Sequence, residues 1–199
     1  MKQQERQQKS REKILSAAMQ EFAERGYEEV TVDSICQKYE ISKGMLYHYY
    51  SGKDALFLLC VQHTFQQLEE YLLERMEQAE HFIFMEFYIM AEGQLWDRLM
   101  DIFRRKAGQG VEIKVLFDDF GSMMRMPEEA VEELRRIGAE VLIFNPVHHY
   151  VNRLYFNYRD HRKIAVIDGV HAYTGGINIA DEYANLFVRF GHWKDTGVR

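Results

Sequence analysis

The sequence predicts two modules in one chain, an all-α module in front and an α/β module behind it. A change of pattern carries that expectation. Up to about Glu80 the apolar residues recur at three- and four-residue spacing, as on helices. Beyond it, short apolar runs alternate with helical stretches in the order strand, helix, strand, helix, strand.

The front elements follow in order. Ser10 is placed to cap a first helix with Ile14, Ala18 and Phe22 on one stripe, and Gly26 stands at its end. Thr31 caps a short second helix containing Ser34 and Ile35. Tyr39-Glu40-Ile41 makes a turn, and Ser42 caps a third helix from Lys43 to about Tyr50. Ser51-Gly52-Lys53-Asp54 breaks the chain again. A long helix then starts near Asp54, with Phe57, Val61, Phe65, Leu68 and Leu72 on one side.

The rear elements change period. Phe82 to Met90 reads as a buried strand, and Leu95, Leu99, Ile102 and Phe103 mark a helix that ends at Gly108 or Gly110. Val111 to Phe117 alternates as a strand does. Pro127 opens a helix carrying Val131, Leu134 and Ile137, which Gly138 closes. Val141 to Phe144 is a strand stopped by Asn145-Pro146. Lys163–Ile167 and Val170–Thr174 form a hairpin through Asp168-Gly169.

Composition narrows the function classes. The 199 residues are 47% hydrophobic and 28% charged, enough apolar material for a core. A net charge of -6 argues against general polyanion binding by the whole chain. The opening stretch is locally basic, with Lys2, Arg6, Lys9, Arg11 and Lys13; it is either an arm that meets phosphates or a solvated tail. Cys36 and Cys60 lack metal or disulfide spacing and read as buried thiols in a reducing compartment. No apolar run reaches membrane-spanning length and the first residues do not resemble a leader, so a cytoplasmic protein without a transmembrane segment is expected.

Three short helices, the last two joined by a tight turn, suit a helix-turn-helix whose final helix enters the major groove. Ser42, Lys43 and Gly44 stand in that helix's first turn, where side chains reach base edges and glycine permits close approach. The segments Arg11-Glu12-Lys13-Ile14-Leu15, Phe22-Ala23-Glu24-Arg25-Gly26-Tyr27, Thr31-Val32-Asp33-Ser34-Ile35 and Ser42 through Tyr50 resemble, in order, the N-terminal domain of TetR-type transcriptional regulators. The resemblance covers roughly Ser10 to Phe65. It implies double-stranded DNA as partner, a two-fold dimer, and phosphate contacts from Thr31, Tyr47, His48 and Lys53. Blander roles stay open: Ser42 as a cap alone, Tyr47 and Tyr50 as core aromatics, His48 as a bystander. The helices that supply a dimer interface and an effector pocket in such regulators are not found here.

The second motif is His161-x-Lys163 with Asp168 five residues beyond the lysine, followed by Gly175-Gly176-Ile177-Asn178. His161 and Lys163, two apart on an expected strand, would project from one face. An imidazole can attack phosphorus, and an ammonium can neutralise the oxygens as charge develops. The paired glycines let backbone approach a phosphate, and Asn178 can donate to it. Asp168, at the hairpin tip, reads better as a fold-holding carboxylate than as a proton carrier. The mechanism requires no metal or cofactor.

Longer stretches around this motif are similar to the first catalytic half of bacterial cardiolipin synthases, in the phospholipase D superfamily. They are Gln78 to Ile89, Gly110 to Ser122, Phe144-Asn145-Pro146, Tyr158 to Lys163 and Phe190 to Thr196. The similarity runs from about Leu72 to the last residue. It implies a truncated phospholipase D-like α/β/α sandwich, a phospholipid substrate, and a phosphohistidine at His161 with a second histidine as general acid.

That second motif is missing: His192-Trp193-Lys194 has Arg199 where Asp is needed, and the other histidines lack Lys two residues on. Phosphatidyltransferase or phosphodiesterase activity therefore stays open, and would require a homodimer. The domain expectation is a DNA-binding module over 1–70 and a phospholipase D-like half over 71–199, incomplete at its C-terminus. No Gly-, Ser- or Pro-rich linker separates them. A seam inside the helical pattern of 54–80 points to a recombined, misassembled or deliberately joined reading frame. The leading functional expectation is sequence-specific DNA binding, with homodimeric phosphoryl transfer as the alternative.

Overall fold

In a computed structural model of the protein, residues 2–147, 157–186 and 197–198 are described, the last two and residue 2 by their backbone alone. His192, Trp193 and Lys194 of the failed second motif, and His148 and His149, lie outside the described residues. The chain divides into two compact units, Met1–Gln66 and Gln67–Arg199, each described by itself.

The first unit is helical. Helix α1 (Lys2–Glu29) begins well before Ser10, because the Gln, Glu, Arg and Lys run ahead of it favours helix without a cap. Ser10 is therefore an interior residue, and its hydroxyl donates back to the Arg6 carbonyl at 2.9 Å. Gly26, with φ 74° and ψ 169°, breaks the helical geometry where an end was expected. Thr31 caps α2 (Val32–Lys38) in a reciprocal capping box with Ser34, and Ser42 caps α3 (Lys43–Tyr49). Helix α4 spans Lys53–Glu77 and contains the unit boundary. Ile14, Ala18, Phe22, Ile35, Leu46 and Leu56 form the core that fixes α3. The buried Glu21 of α1 is paired with Lys38 of α2; that hydrogen bond and charge hold its carboxyl below the usual range, against the opposing effect of desolvation.

The second unit is a mixed six-stranded sheet in the order β3-β2-β1-β4-β5-β6. Strands β1 (Phe82–Phe87), β2 (Glu112–Asp118) and β3 (Glu140–Phe144) are parallel, joined by α5 (Gln94–Gly108) and by α6 (Asp119–Ser122) with α7 (Glu128–Arg136). Strand β4 (Lys163–Ile167) runs antiparallel to β1, and β5 (His171–Gly175) and β6 (Gly197–Val198) continue antiparallel. Asp168 (φ 53°) and Gly169 (φ 68°) form the β4–β5 turn, and two successive positive φ angles give the type I′ geometry that suits a tight hairpin.

Alternation places Ile83, Met85 and Phe87 of β1, Ile113, Val115 and Phe117 of β2, and Ala165 and Ile167 of β4 on one buried face. They share a core with Trp96, Leu99 and Phe103 of α5 and Leu134 of α7. Phe84, Leu116, Ile164 and Val166 on the other face stay half-buried. Among the described residues the helical layer thus lies on one side of the sheet. Strand β1 stops at Phe87 rather than Met90. Beyond it Asn178 accepts from the Ile89 amide and Ser122 from the Met90 amide, and Met90 keeps only an isolated parallel bridge to Ile179.

Candidate functional site

The carboxyl ends of parallel strands are where an α/β sheet leaves room for ligands. Here β1 ends at Phe87, β2 ends at Asp118, and Lys163, opposite Phe87, starts the antiparallel β4 at the same edge. Thr174 pairs with Ile164, and β5 ends one residue later at Gly175, so the chain leaves the sheet at Gly176 on the same edge. His161 lies two residues before β4, in a segment without regular structure rather than on the strand as its spacing suggested.

The two motif side chains nevertheless meet. Lys163 is buried, and its ammonium donates to the His161 carbonyl and sits 3.4 Å from His161 Nδ1. The imidazole is exposed on its outer side and stacked on the Tyr88 ring, with centroids 3.9 Å apart and planes at 23°. The same ammonium lies 5.4 Å from the Tyr88 centroid. Desolvation, followed by the charge of Asp118, pushes the Tyr88 phenol above its ordinary value. Asn178 is buried and accepts from Ile89, the neighbour of Tyr88, leaving its amide nitrogen to donate.

A strap of charges fixes the His161 segment on both sides. The fully buried Asp118 accepts from the Asp160 amide at 3.0 Å and pairs with Arg159 at 3.4 Å. Asp160 accepts from the Arg162 amide and guanidinium at 3.0 to 3.1 Å. Arg162 Nη2 also lies 2.6 Å from Glu86 Oε1, an ion pair by distance without the angle of a hydrogen bond. Desolvation, then the Asp160 carboxylate, drives the Glu86 carboxyl up to about 7. Burial also raises Asp160, but the hydrogen bonds from Arg162 and from Glu86 outweigh it and bring it to about 2. The two acids behave as a pair that holds one proton between those limits.

Gly121 allows α6 to lie against the Tyr88 floor. A Cβ there would stand 2.2 Å from the Tyr88 carbonyl oxygen. Gly121→Ala is expected to destabilise the second unit by about 1–3 kcal/mol through forced separation of α6 from Tyr88. Thermal unfolding checks this, and an unchanged midpoint contradicts it.

In the first unit, Ser42, Lys43, Gly44, Tyr47 and His48 all belong to α3 or its cap. Lys43 and Tyr47 are one turn apart on the same face, and Tyr47 is 54% exposed, so it is not a core aromatic. A Cβ on Gly44 would meet nothing within 4 Å, leaving that turn open to a duplex. The Ser42 and Thr31 hydroxyls accept from the Met45 and Ser34 amides, and each keeps its O–H to donate. Lys43 pairs with Asp33 at 2.8 Å; both are exposed, so a phosphate can replace the carboxylate at little cost. His48 stacks edge-on with Tyr49. Lys53 heads α4, with its ammonium 4.2 Å from the Tyr27 centroid and 3.4 Å from the Glu28 carbonyl.

A family model described as cardiolipin synthase, PLD-like domain, matches residues 72–186. The chain belongs to this family. A second model, bacterial regulatory proteins of the tetR family, matches residues 14–60 of the same PLD-like chain. A cardiolipin synthase of Oceanobacillus iheyensis is 42% identical over 128 residues, covering 64% of this chain and 26% of that protein. The major cardiolipin synthase ClsA of Bacillus subtilis is 38% identical over 128 residues, with the same two shares. The chain thus spans less than a third of the length of the curated relatives it matches. NucT from Helicobacter pylori matches in structure with a TM-score of 0.49 at 13% identity, covering 61% of this chain and 73% of that one.

Within the PLD-like domain the structure brings His161, Lys163 and Asn178 to one edge and leaves Asp168 at the other. The Asp168 carboxylate accepts from the amides of Glu80, His81 and Phe82 at 2.8 to 2.9 Å. Burial pulls its pKa upward, but those three amides overcome it and hold the carboxyl below its usual value. Asp168 thus lies beyond the far end of β4 from Lys163, roughly 16 Å along the strand, with its carboxylate engaged by the start of β1. Tyr88, Glu86, Asp118, Asp160 and Arg162 were not assigned roles from the sequence. Only Asp118 carried a signal, since it closes a buried strand with a charge.

The described residues contain no helix long and apolar enough to cross a membrane.

Proposed function

We propose that the chain is a sequence-specific DNA-binding module joined to a PLD-like domain with phosphodiester chemistry at His161. DNA binding is the primary reading. The observation that supports it is an exposed Lys43–Tyr47 face on a short, firmly capped helix with open space at Gly44. Ser42, Lys43 and Gly44 approach base edges, while Tyr47, His48, Thr31 and Lys53 engage phosphates. A selected duplex should be preferred over random DNA in a gel-shift assay, and Lys43→Ala should weaken that binding by about tenfold. Equal affinity for all duplexes by the unmutated protein would remove the reading.

The second reading is favoured by the Lys163–His161–Tyr88 stack. In it, His161 attacks the phosphorus of a phospholipid or other phosphodiester, forming a P–N bond as a P–O bond to the leaving group breaks. The leaving oxygen takes a proton from the second histidine. A second copy of the chain supplies that group across a two-fold axis. An acceptor oxygen, from water or another alcohol, then forms a P–O bond as the P–N bond to His161 breaks, and gives its proton back to the second histidine. Lys163 turns from His161 to the phosphoryl oxygens as they gain charge, and Asn178 donates to the same group. Soluble phosphodiester hydrolysis measured alongside oligomeric mass tests this: turnover should rise with the dimer fraction.

A further inference from the structure

The turn after β2 carries apolar side chains into solvent beside His161. Phe120 is 43% exposed, Met123 48% and Met124 87%, and Tyr158 on the neighbouring segment is 69% exposed. The turn that presents them is firmly built. Asp118 caps α6 at the Gly121 amide and also holds the Asp160 amide. The buried Ser122 donates to the Tyr88 carbonyl and accepts from the Met90 amide, and its own carbonyl accepts from the Arg125 and Met126 amides. The Asp119 carboxylate accepts from the Val147 amide. Arg159 lies 5.3 Å from the Phe120 centroid, next in sequence to Tyr158 and two residues before His161.

We propose that Phe120, Met123, Met124 and Tyr158 form a lipid-docking rim that seats the His161 edge on a bilayer surface. The inference rests on the phosphodiester reading of that edge and specifies where its substrate is met. A headgroup phosphate at His161 leaves its glycerol and acyl chains at the adjoining rim. Methionine adapts to disordered chains, and tyrosine combines an apolar body with a polar tip, as an interface requires. The rim offers only a few hundred Å2, on the order of a single surface patch. A stable protein partner needs roughly 800 Å2 per side, which favours a lipid surface over a protein partner held by the rim alone.

The full chain should co-sediment with phosphatidylcholine vesicles, with or without phosphatidylglycerol, at a salt concentration that screens charge attraction. The triple substitution Phe120→Ser, Met123→Ser and Met124→Ser should reduce that binding by about tenfold or more, with the unfolding midpoint unchanged because the side chains are exposed. His161→Ala should bind vesicles as the unmutated protein does. Vesicle binding by a protein without phosphodiesterase activity supports the docking rim while removing the reading beneath it. The proposal is overturned if the unmutated chain stays in the supernatant, if the triple variant binds equally well, or if that variant halves the oligomeric mass and so marks a protein interface.

Discussion

Asp168→Ala is expected to lower the stability of the PLD-like domain by about 2–4 kcal/mol. Its carboxylate is the acceptor for three consecutive amides at the start of β1, and the Asp168 amide in turn donates to the Phe82 carbonyl. Alanine leaves those donors without that acceptor, and water restores only part because Phe82 is half-buried. Three charge-assisted bonds taken singly would suggest more, but they share one carboxylate and are not additive. The pH dependence has a definite sign. The folded carboxyl lies below its unfolded value, so its contribution is present above the unfolded pKa near 3.8 and is lost as pH falls through the lower folded value. Chemical denaturation of the unmutated and mutant proteins near neutral pH and in acid measures both effects. The difference should shrink in acid. A variant of full stability but no activity would instead place Asp168 among the catalytic residues.

His161→Ala is expected to abolish phosphodiester turnover, by about a thousandfold or more, while leaving the unfolding midpoint nearly unchanged. The imidazole is exposed on one side, so its removal opens no core cavity. The chemistry is another matter. Without the ring no other imidazole among the described residues is placed over Tyr88, and Lys163 loses its contact with Nδ1 while its bond to the main-chain carbonyl of residue 161 remains. The tautomer also matters. A lysine N–H facing Nδ1 favours the proton on Nε2, so attack through Nε2 requires Lys163 to move to the phosphoryl oxygens first. Retained turnover in His161→Ala would separate the activity from this edge of the sheet.

Much of this architecture was legible because local signals and tertiary packing agree. Thr31 and Ser42 fulfil the caps their positions suggested, and Asp168-Gly169 makes the expected hairpin turn. Ser10 failed as a helix start because nothing in the preceding residues opposes helix, so the cap position was decided by propensity alone. Met90 does not continue β1 because Asn178 and Ser122, 88 and 32 positions away, take the Ile89 and Met90 amides, leaving it an isolated bridge to Ile179. His161 missed the strand for a similar reason. Asp118 and Asp160 strap its segment before β4 begins, and no spacing rule reveals a bond between residues so distant in sequence. Tyr88 escaped notice because an aromatic residue at the end of an apolar run reads as core until the imidazole stacked on it is seen.

The most direct measurement is to trap the covalent state: react the full chain with a soluble phosphodiester at dimer-forming concentration, quench in base, and map adducts by peptide mass spectrometry. A phosphoryl-linked adduct on the peptide carrying His161, absent in His161→Ala, is the expected result. Turnover with no adduct on His161, or no turnover by a protein that is demonstrably dimeric, would contradict it.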